Sequence, residues 1–118
     1  MDDRPRSLRE MLAEAQDSSE LMVDLAYAAV YFNDPGMCEE VLQLEERLNG
    51  LVQSMRATCI MAVRRPAEAA SMASVLTVVA AIEGLGNAAI EITRIVTHRL
   101  GLPDELIGDL SNAEEVSH

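Results

Sequence analysis

The sequence predicts an all-α protein, an antiparallel up-down-up bundle of three long helices. Hydrophobic residues make up 49% of the 118 residues but aromatic residues only 3%. The core must therefore be built from Ala, Leu, Val, Ile and Met, which favours close-packed helices over sheets. Apolar residues recur at helical spacing in three stretches, and two proline-containing breaks separate them. Connections this short force neighbouring helices to run antiparallel.

The first helix is expected over residues 7–33. Ser7 and Glu10 have the spacing of a capping box, which marks a helix start. Apolar residues then follow at intervals of three and four until the chain breaks at Asp34 and Pro35. Asp34 can cap a second helix, and proline suits the first turn of that helix.

The second helix is expected over residues 35–64 and the third over residues 67–100, after Pro66 and before Gly101. The second has a clear polar face. The end of the first helix and most of the third do not, and three helices cannot bury two of their members on all sides. We therefore expect these surfaces to face a partner, most simply another copy of the chain.

One bundle domain is expected over residues 7–100, followed by a short extension or linker over 101–118. Residues 103–110 could form further helical turns. Uncharged stretches are short of the ~20 residues that a membrane span needs, so no membrane insertion is expected. Without a signal peptide, Cys38 and Cys59 are read as reduced core thiols of a cytoplasmic protein.

The charge balance excludes several classes of function. The net charge is -11 and every basic residue is an arginine. This acidity argues against binding to nucleic acid and to anionic lipid. The absence of lysine rules out a lysine Schiff base and a P-loop lysine. No helix-borne serine has a histidine near it in the pattern of a nucleophile and its base, so no catalytic residue is predicted.

Two acidic residues interrupt apolar runs and are the candidate site. Asp24 follows Glu20 by four residues, and Glu83 precedes Asn87 by four, so each pair shares one face of a helix. A carboxylate in such surroundings is costly to desolvate unless it is paired, hydrogen-bonded, protonated or bound to a metal. Among basic residues, Arg94 is the only one expected near these acids.

Two glycines lie beside Glu83 in the third helix. Gly84 and Gly86 each cost about 1 kcal/mol relative to Ala inside a helix. Their presence predicts either a close helix approach among small residues such as Ala88 and Ala89, or a ligand near the backbone.

The stretch from Ile82 to Ile92, Ile-Glu-Gly-Leu-Gly-Asn-Ala-Ala-Ile-Glu-Ile, resembles the PhoU family, helical regulators of bacterial phosphate uptake and signalling. The last helix of that family's three-helix repeat reads roughly E-R-I-G-D-H-A-x-x-I. Glu83 matches the acid of the motif, Gly86 its glycine and Asn87 its aspartate. The acidic segment from Leu44 to Asn49 is also similar, and the resemblance covers about residues 8–100.

The resemblance implies a metal site. Family members bind metal clusters through paired carboxylates, so Glu20, Asp24, Glu83 and Asn87 are the implied ligands. Oxygen ligands suit a divalent cation such as Mg, Ca or Mn, or iron. This chain departs from the motif, since Asn87 replaces the aspartate and Ala88 the histidine.

The resemblance also implies an assembly and a function. Full family members carry two repeats and this chain carries one, so a homodimer would restore six helices. The implied function is non-enzymatic regulation of phosphate, potassium or other cation transport. Its partner would be a transporter or channel subunit, or a ligand-sensing domain. Two alternatives remain, an all-helical carboxylate-metal phosphohydrolase and a plain dimerisation module.

Overall fold

The computed structural model describes residues 7–101 and shows three long α-helices there. They are α1 (Leu8–Phe32), α2 (Pro35–Ala62) and α3 (Ala69–Arg99), and a 3-10 turn (Pro66–Glu68) precedes α3. Residues 7–101 contain no strand. The all-helical prediction is confirmed, and each predicted helix boundary lies within two residues of the observed one.

The predicted caps fix the first two helices. The Ser7 hydroxyl accepts a hydrogen bond from the Glu10 backbone N–H at 3.1 Å, and the Glu10 carboxylate accepts one from the Ser7 N–H at 2.9 Å. Asn33 ends α1 in the left-handed region, with φ 54°. The Asp34 carboxylate then accepts from the Gly36 N–H at 2.8 Å, so the polypeptide turns into α2 within two residues.

The start of α3 differs slightly from the prediction. Residues Pro66–Glu68 form a 3-10 turn, and α3 begins at Ala69. Neither Arg65 nor Glu68 caps the exposed backbone N–H groups with its side chain. The tighter turn satisfies some of them instead through i to i+3 hydrogen bonds. At the other end, Gly101 adopts φ 73°, the left-handed conformation expected of a glycine that ends a helix.

Each helix packs against both others, and the described part of the chain measures 53 × 27 × 26 Å. The main core is aliphatic and methionine-rich, as the composition predicted. Its fully enclosed members include Met22, Leu48, Met55, Val41, Val52 and Val79. Tyr27, Tyr31 and Phe32 all lie on the surface. The bundle is therefore held together by closely packed small and flexible side chains.

A smaller cluster of Ala29, Cys38 and Val96 closes one end of the bundle. The Cys38 thiol lies 3.8 Å from the carbonyl oxygen of Thr93, to which it donates. The buried Thr93 hydroxyl in turn donates to the Ile90 carbonyl at 2.6 Å. No buried side-chain nitrogen or oxygen within residues 7–101 lacks a partner, so this end is packed without a polar cost.

The stretch Pro66–Arg99 is long and apolar enough to cross a membrane by length and composition. The prediction considered only stretches without any charged residue, and it therefore did not indicate that this helix would meet the criterion. Helices of bundles pass the same test, and this one packs against α1 and α2. The expectation of no membrane insertion stays a prediction. The predicted helical turns at 103–110 and the extension beyond Gly101 lie outside the described residues.

Candidate functional site

Glu83 of α3 is held by Arg56 of α2. Nη2 of Arg56 lies 2.5 Å from Oε1 of Glu83, and Nη1 lies 3.3 Å from Oε2. The guanidinium therefore donates a hydrogen bond to each carboxylate oxygen. The Arg56 side chain is 43% exposed and that of Glu83 33% exposed. The pair therefore lies at the edge of the α2–α3 contact, where two charge-assisted hydrogen bonds fix the orientation of the carboxylate.

The expectation that Arg94 is the only basic residue near the acids was wrong. Arg56 follows the buried Val52 by one helical turn and the buried Met55 by one residue, so it borders the core face of α2. This position beside the core face was the one feature of the sequence that could have indicated a contact between Arg56 and another helix. The relative register of α2 and α3, which brings Arg56 to Glu83, is a tertiary property that no local pattern reports.

Arg94 of α3 interacts with other acidic residues near the boundary between α2 and α3. It forms an ion pair with Glu91, three residues earlier in α3. Burial raises the pKa of the Glu45 carboxyl in α2, and the positive charge of Arg94 opposes that increase. Basic and acidic side chains thus alternate along the boundary between α2 and α3.

Gly86 lies at the junction of all three helices and is buried. A Cβ atom at this position would lie 3.0 Å from Cδ2 of Leu48 in α2 and 3.6 Å from Cε of Met22 in α1. The prediction of a close helix approach is confirmed here. Gly84 differs, because nothing lies within 4 Å of the Cβ position there.

The two α1 acids lie on the surface, so the expectation that Asp24 occupies buried surroundings was wrong. Both Glu20 and Asp24 are exposed. The core face of α1 passes through Met22 and Ala26, and Asp24 lies on the other side of the helix. Glu20 accepts a hydrogen bond from Nε2 of Gln16 at 3.3 Å. The apolar run around Asp24 therefore marks an exposed apolar surface and not a buried segment.

The predicted ligand set is divided between two surfaces. Glu20 and Asp24 share the exposed face of α1, while Glu83 is turned toward Arg56 of α2 and Asn87 is exposed. Within residues 7–101, no three or more His, Cys, Asp or Glu side chains are grouped as metal ligands. Metal binding stays a prediction, and a cation at Glu83 would compete with the Arg56 guanidinium.

A shallow groove of about 360 Å³ lies elsewhere, between α1 and α2. Its lining combines apolar residues, among them Leu25 and Leu44, with charged residues, among them Glu40 and Arg47. None of the four predicted ligand residues lines this groove. We therefore place the candidate chemistry at the Glu83–Arg56 pair, where the motif residues are, and not at the concave surface.

Both cysteines are buried and unpaired. Burial raises the pKa of each thiol, and the negative charge of Asp34 raises that of Cys38 further. A thiol with a raised pKa is a poor nucleophile at neutral pH. This agrees with the interpretation of Cys38 and Cys59 as core residues.

Comparison with known families identifies the fold. A family model described as the PhoU domain matches residues 12–96, well over half of the chain and part of every helix. The matched segment contains the Glu83–Arg56 pair and the junction glycine Gly86. Comparison with individual curated proteins gives no significant match. By the extent of the family match, the chain belongs to the PhoU family.

Proposed function

We propose that this chain is a non-enzymatic regulatory module that controls an inorganic-ion transport or signalling system through protein contacts. Phosphate is the first candidate ion, and potassium or another cation the second. The PhoU domain match over residues 12–96 is the observation that carries the proposal. An exposed apolar surface, including Tyr27, Tyr31 and Leu85, adds the means for protein contact.

The working unit is a homodimer of up-down-up antiparallel bundles. Contacts that run in opposite order along two helices support the antiparallel arrangement, namely Cys38 with Thr93, Leu48 beside Gly86, and Arg56 with Glu83. Two copies of one three-helix unit would supply six helices. The apolar surface of α1 and α3 left open in one copy supports this assembly.

The mechanism is a shift of population between two helix arrangements, biased by a partner or an ion. Acting in the cytoplasm, the chain would contact a transporter or channel subunit, or the ligand-sensing domain of one. The Glu83–Arg56 pair is the polar contact across α2 and α3 that such a shift would break and re-form.

Uptake measurements test the regulatory role. Cells that lack this chain should show altered uptake of radiolabelled phosphate, or of rubidium as a tracer for potassium. The wild-type chain should restore normal uptake, and a Leu85→Glu variant with its altered exposed surface should not. Unchanged uptake of both tracers in cells without the chain would refute the proposal. Hydrolysis of phosphate esters by the purified protein would instead favour the phosphohydrolase alternative.

Cation binding is tested separately. Calorimetric titration of chelator-treated protein with Mn²⁺, Mg²⁺ and Fe²⁺ measures affinity directly, and thermal unfolding measures stabilisation. If the predicted site exists, Asp24→Ala and Glu83→Ala should each lower both quantities, and Arg56→Ala should raise affinity because it frees the carboxylate. If no cation is held, Asp24→Asn should leave stability unchanged or increased, with or without metal.

A further inference from the structure

The shallow groove beside Leu21 is formed by α1 and α2, and no described residue of α3 lines it. Leu21 and Leu25 of α1 line one side, and residues from the 40–47 stretch of α2, among them Leu44, line the other. Leu21 is 46% exposed although its side chain is apolar. A groove between two antiparallel helices has the shape to take a further helix along its length.

An apolar stripe on α1 supplies one wall of this groove and continues past it. Leu21, Leu25, Ala28 and Phe32 are spaced by four, three and four residues, so they share one side of the helix. Leu25 and Ala28 are half-buried, and Phe32 is 64% exposed. This spacing is that of a helix that packs along another helix. From Leu21 to Phe32 the stripe extends over about 17 Å, the length of about three helical turns.

Both walls of the groove belong to the most acidic part of the chain. Residues 10–46 carry ten acidic residues and no Arg, Lys or His. This α1–α2 hairpin therefore accounts for most of the net charge of -11. In the groove itself Glu40 and Glu46 are exposed, and Arg47 is the only basic residue among the described lining residues. The electrostatic potential at this surface therefore favours a cationic partner.

Charge disfavours three other occupants of the groove. An anionic lipid surface would be repelled by the acidic walls. A second copy of the chain carries the same net charge of -11. The chain's own segment 102–118 contains five acidic residues and no Arg or Lys. A basic segment of a different protein is the occupant that complements the groove.

Basic segments of this kind are common where the proposed function places the partner. The cytoplasmic loops of membrane proteins carry an excess of Lys and Arg. An amphipathic helix from such a region has apolar residues for the stripe on α1 and cationic residues for the acidic rim.

We infer that the α1–α2 groove binds a basic amphipathic helix of the partner. Its apolar face packs on Leu21, Leu25 and Phe32, and its Arg or Lys side chains reach Glu40 and Glu46. The inference rests on the proposed regulatory function and names the chemistry of the partner and the surface that receives it.

Peptide binding tests the inference. The probe is a labelled helical peptide of about 14 residues, with Leu at the first and fourth positions of each heptad and Lys or Arg at the flanking positions. A matched peptide carries Glu at every basic position. Fluorescence anisotropy with the whole chain should detect binding of the basic peptide and none of the acidic one. The affinity should fall several-fold as sodium chloride is raised from roughly 50 to 500 mM, because salt screens the attraction.

Charge reversals locate the binding site. Glu40→Arg/Glu46→Arg should weaken binding of the basic peptide about tenfold or more, while Arg47→Glu should strengthen it several-fold, because the latter removes the one repulsive charge. A gain of affinity cannot arise from a loss of folding. The matched control is Glu68→Arg, since Glu68 follows α2 at the opposite end of the bundle. It should change the affinity by less than about twofold, because its charge is more than a Debye length from the groove.

A neutral substitution tests the apolar part of the contact. Leu21→Gln should weaken binding of the basic peptide several-fold without changing the charge of the chain. Leu85→Gln is its control, because Leu85 is equally exposed, at 44%, but lies on α3; it should bind the peptide as the wild type does.

Three results would overturn the inference: equal loss of affinity in Glu68→Arg and Glu40→Arg/Glu46→Arg, equal binding of the two peptides, or unchanged binding by Leu21→Gln. The uptake assay separates this inference from the proposed function. Unchanged uptake in cells without the chain would refute the regulatory role itself. If the chain does regulate uptake, Glu40→Arg/Glu46→Arg should fail to restore it and Glu68→Arg should succeed; full restoration by both would overturn the groove as the docking site alone.

Discussion

At the level of single residues, Gly86 is the position where the three helices are closest. Its hydrogen atom faces Leu48 and Met22, both of which are enclosed in the core. The absence of a side chain therefore lets α3 approach α1 and α2. The motif glycine serves helix packing in this chain, and the acid three residues earlier serves the polar contact with Arg56.

Substitution of Gly86 should separate helix propensity from packing. Gly86→Ala gains about 1 kcal/mol of propensity, but Cδ2 of Leu48 must move away from 3.0 Å, so we expect little net change. Gly86→Leu should lower the free energy of unfolding by about 1–3 kcal/mol through overpacking. Urea denaturation at one fixed protein concentration measures both variants.

Gly50 is the matched control, because it lies inside α2 with nothing within 4 Å of its Cβ position. Gly50→Ala and Gly50→Leu should both stabilise the protein by up to about 1 kcal/mol. Equal stability of Gly86→Leu and Gly86→Ala would contradict the close packing described here.

Glu45 should make the protein less stable as the pH rises. Burial raises the pKa of its carboxyl in the folded state above that in the unfolded chain. The folded state therefore binds this proton more tightly. Stability from this group is present at low pH and is lost from about pH 4.3, the ordinary value for glutamate, up through the folded pKa.

Glu45→Gln should remove this part of the pH dependence and should leave the protein at least as stable at pH 7. The exposed neighbour Glu46 provides the control, since Glu46→Gln also removes one negative charge from an acidic chain. Thermal unfolding of the three proteins between pH 4 and pH 7 isolates the effect of burial. A steeper loss of stability with pH in Glu45→Gln than in the wild type would refute the assignment.

At the level of the helices, α3 has three different faces. Val79, Ile82 and Gly86 face the core. Val78, Leu85 and Ile95 form an exposed apolar face, and Glu91 and Arg94 carry charge on the remaining side. For this reason the sequence of α3 shows apolar residues on almost every side of the helix. Its appearance reflects two separate apolar faces and not complete burial within one chain.

The cap of α1 should contribute measurably to stability. Ser7→Ala removes the hydroxyl that accepts from the Glu10 N–H at 3.1 Å, and we expect a loss of about 0.5–2 kcal/mol. Ser54→Ala is the control, because Ser54 is exposed inside α2, where Ala has the higher helix propensity. The two changes should thus have opposite signs in denaturation experiments. A neutral Ser7→Ala would mean that the capping box is not populated in solution.

The sequence carried enough information to position the helices, because caps and proline breaks are local signals. Ser7, Asp34 and Pro66 each lie at or beside an observed boundary. The site was less accessible. Asp24 could not be assigned to a face, since apolar residues surround it on every side of α1, and the choice depends on packing with α2 and α3. Arg56 and Glu83 are 27 residues apart, and only the tertiary register of two helices brings them together.

At the level of the whole molecule, the strong negative charge opposes the proposed dimerisation, and the exposed apolar residues of α1 and α3 favour it. The chain carries a net charge of -11, so two copies repel at long range, while the proposed contact through α1 and α3 would be apolar. Salt screens the repulsion, with a Debye length near 8 Å at physiological ionic strength. Because salt weakens this repulsion, a dimer should become more stable as the salt concentration rises.

We expect the dissociation constant to fall several-fold as sodium chloride is raised from 20 to 500 mM. Sedimentation equilibrium or light scattering over a dilution series measures it. Leu85→Glu should dissociate more readily at every salt concentration, and a charge change outside the proposed interface, such as Glu14→Gln in the first half of α1, should leave the trend intact. Weaker association at high salt would instead indicate an interface of opposite charges.

The two buried thiols can report local opening of the bundle through their rates of chemical labelling. Cys38 lies at the start of α2 and Cys59 near its end, roughly 30 Å apart along the helix axis. Because burial suppresses the reactivity of both, an alkylating reagent can reach either only when that end of the molecule opens. The ratio of the two labelling rates then reports which end of the bundle frays first.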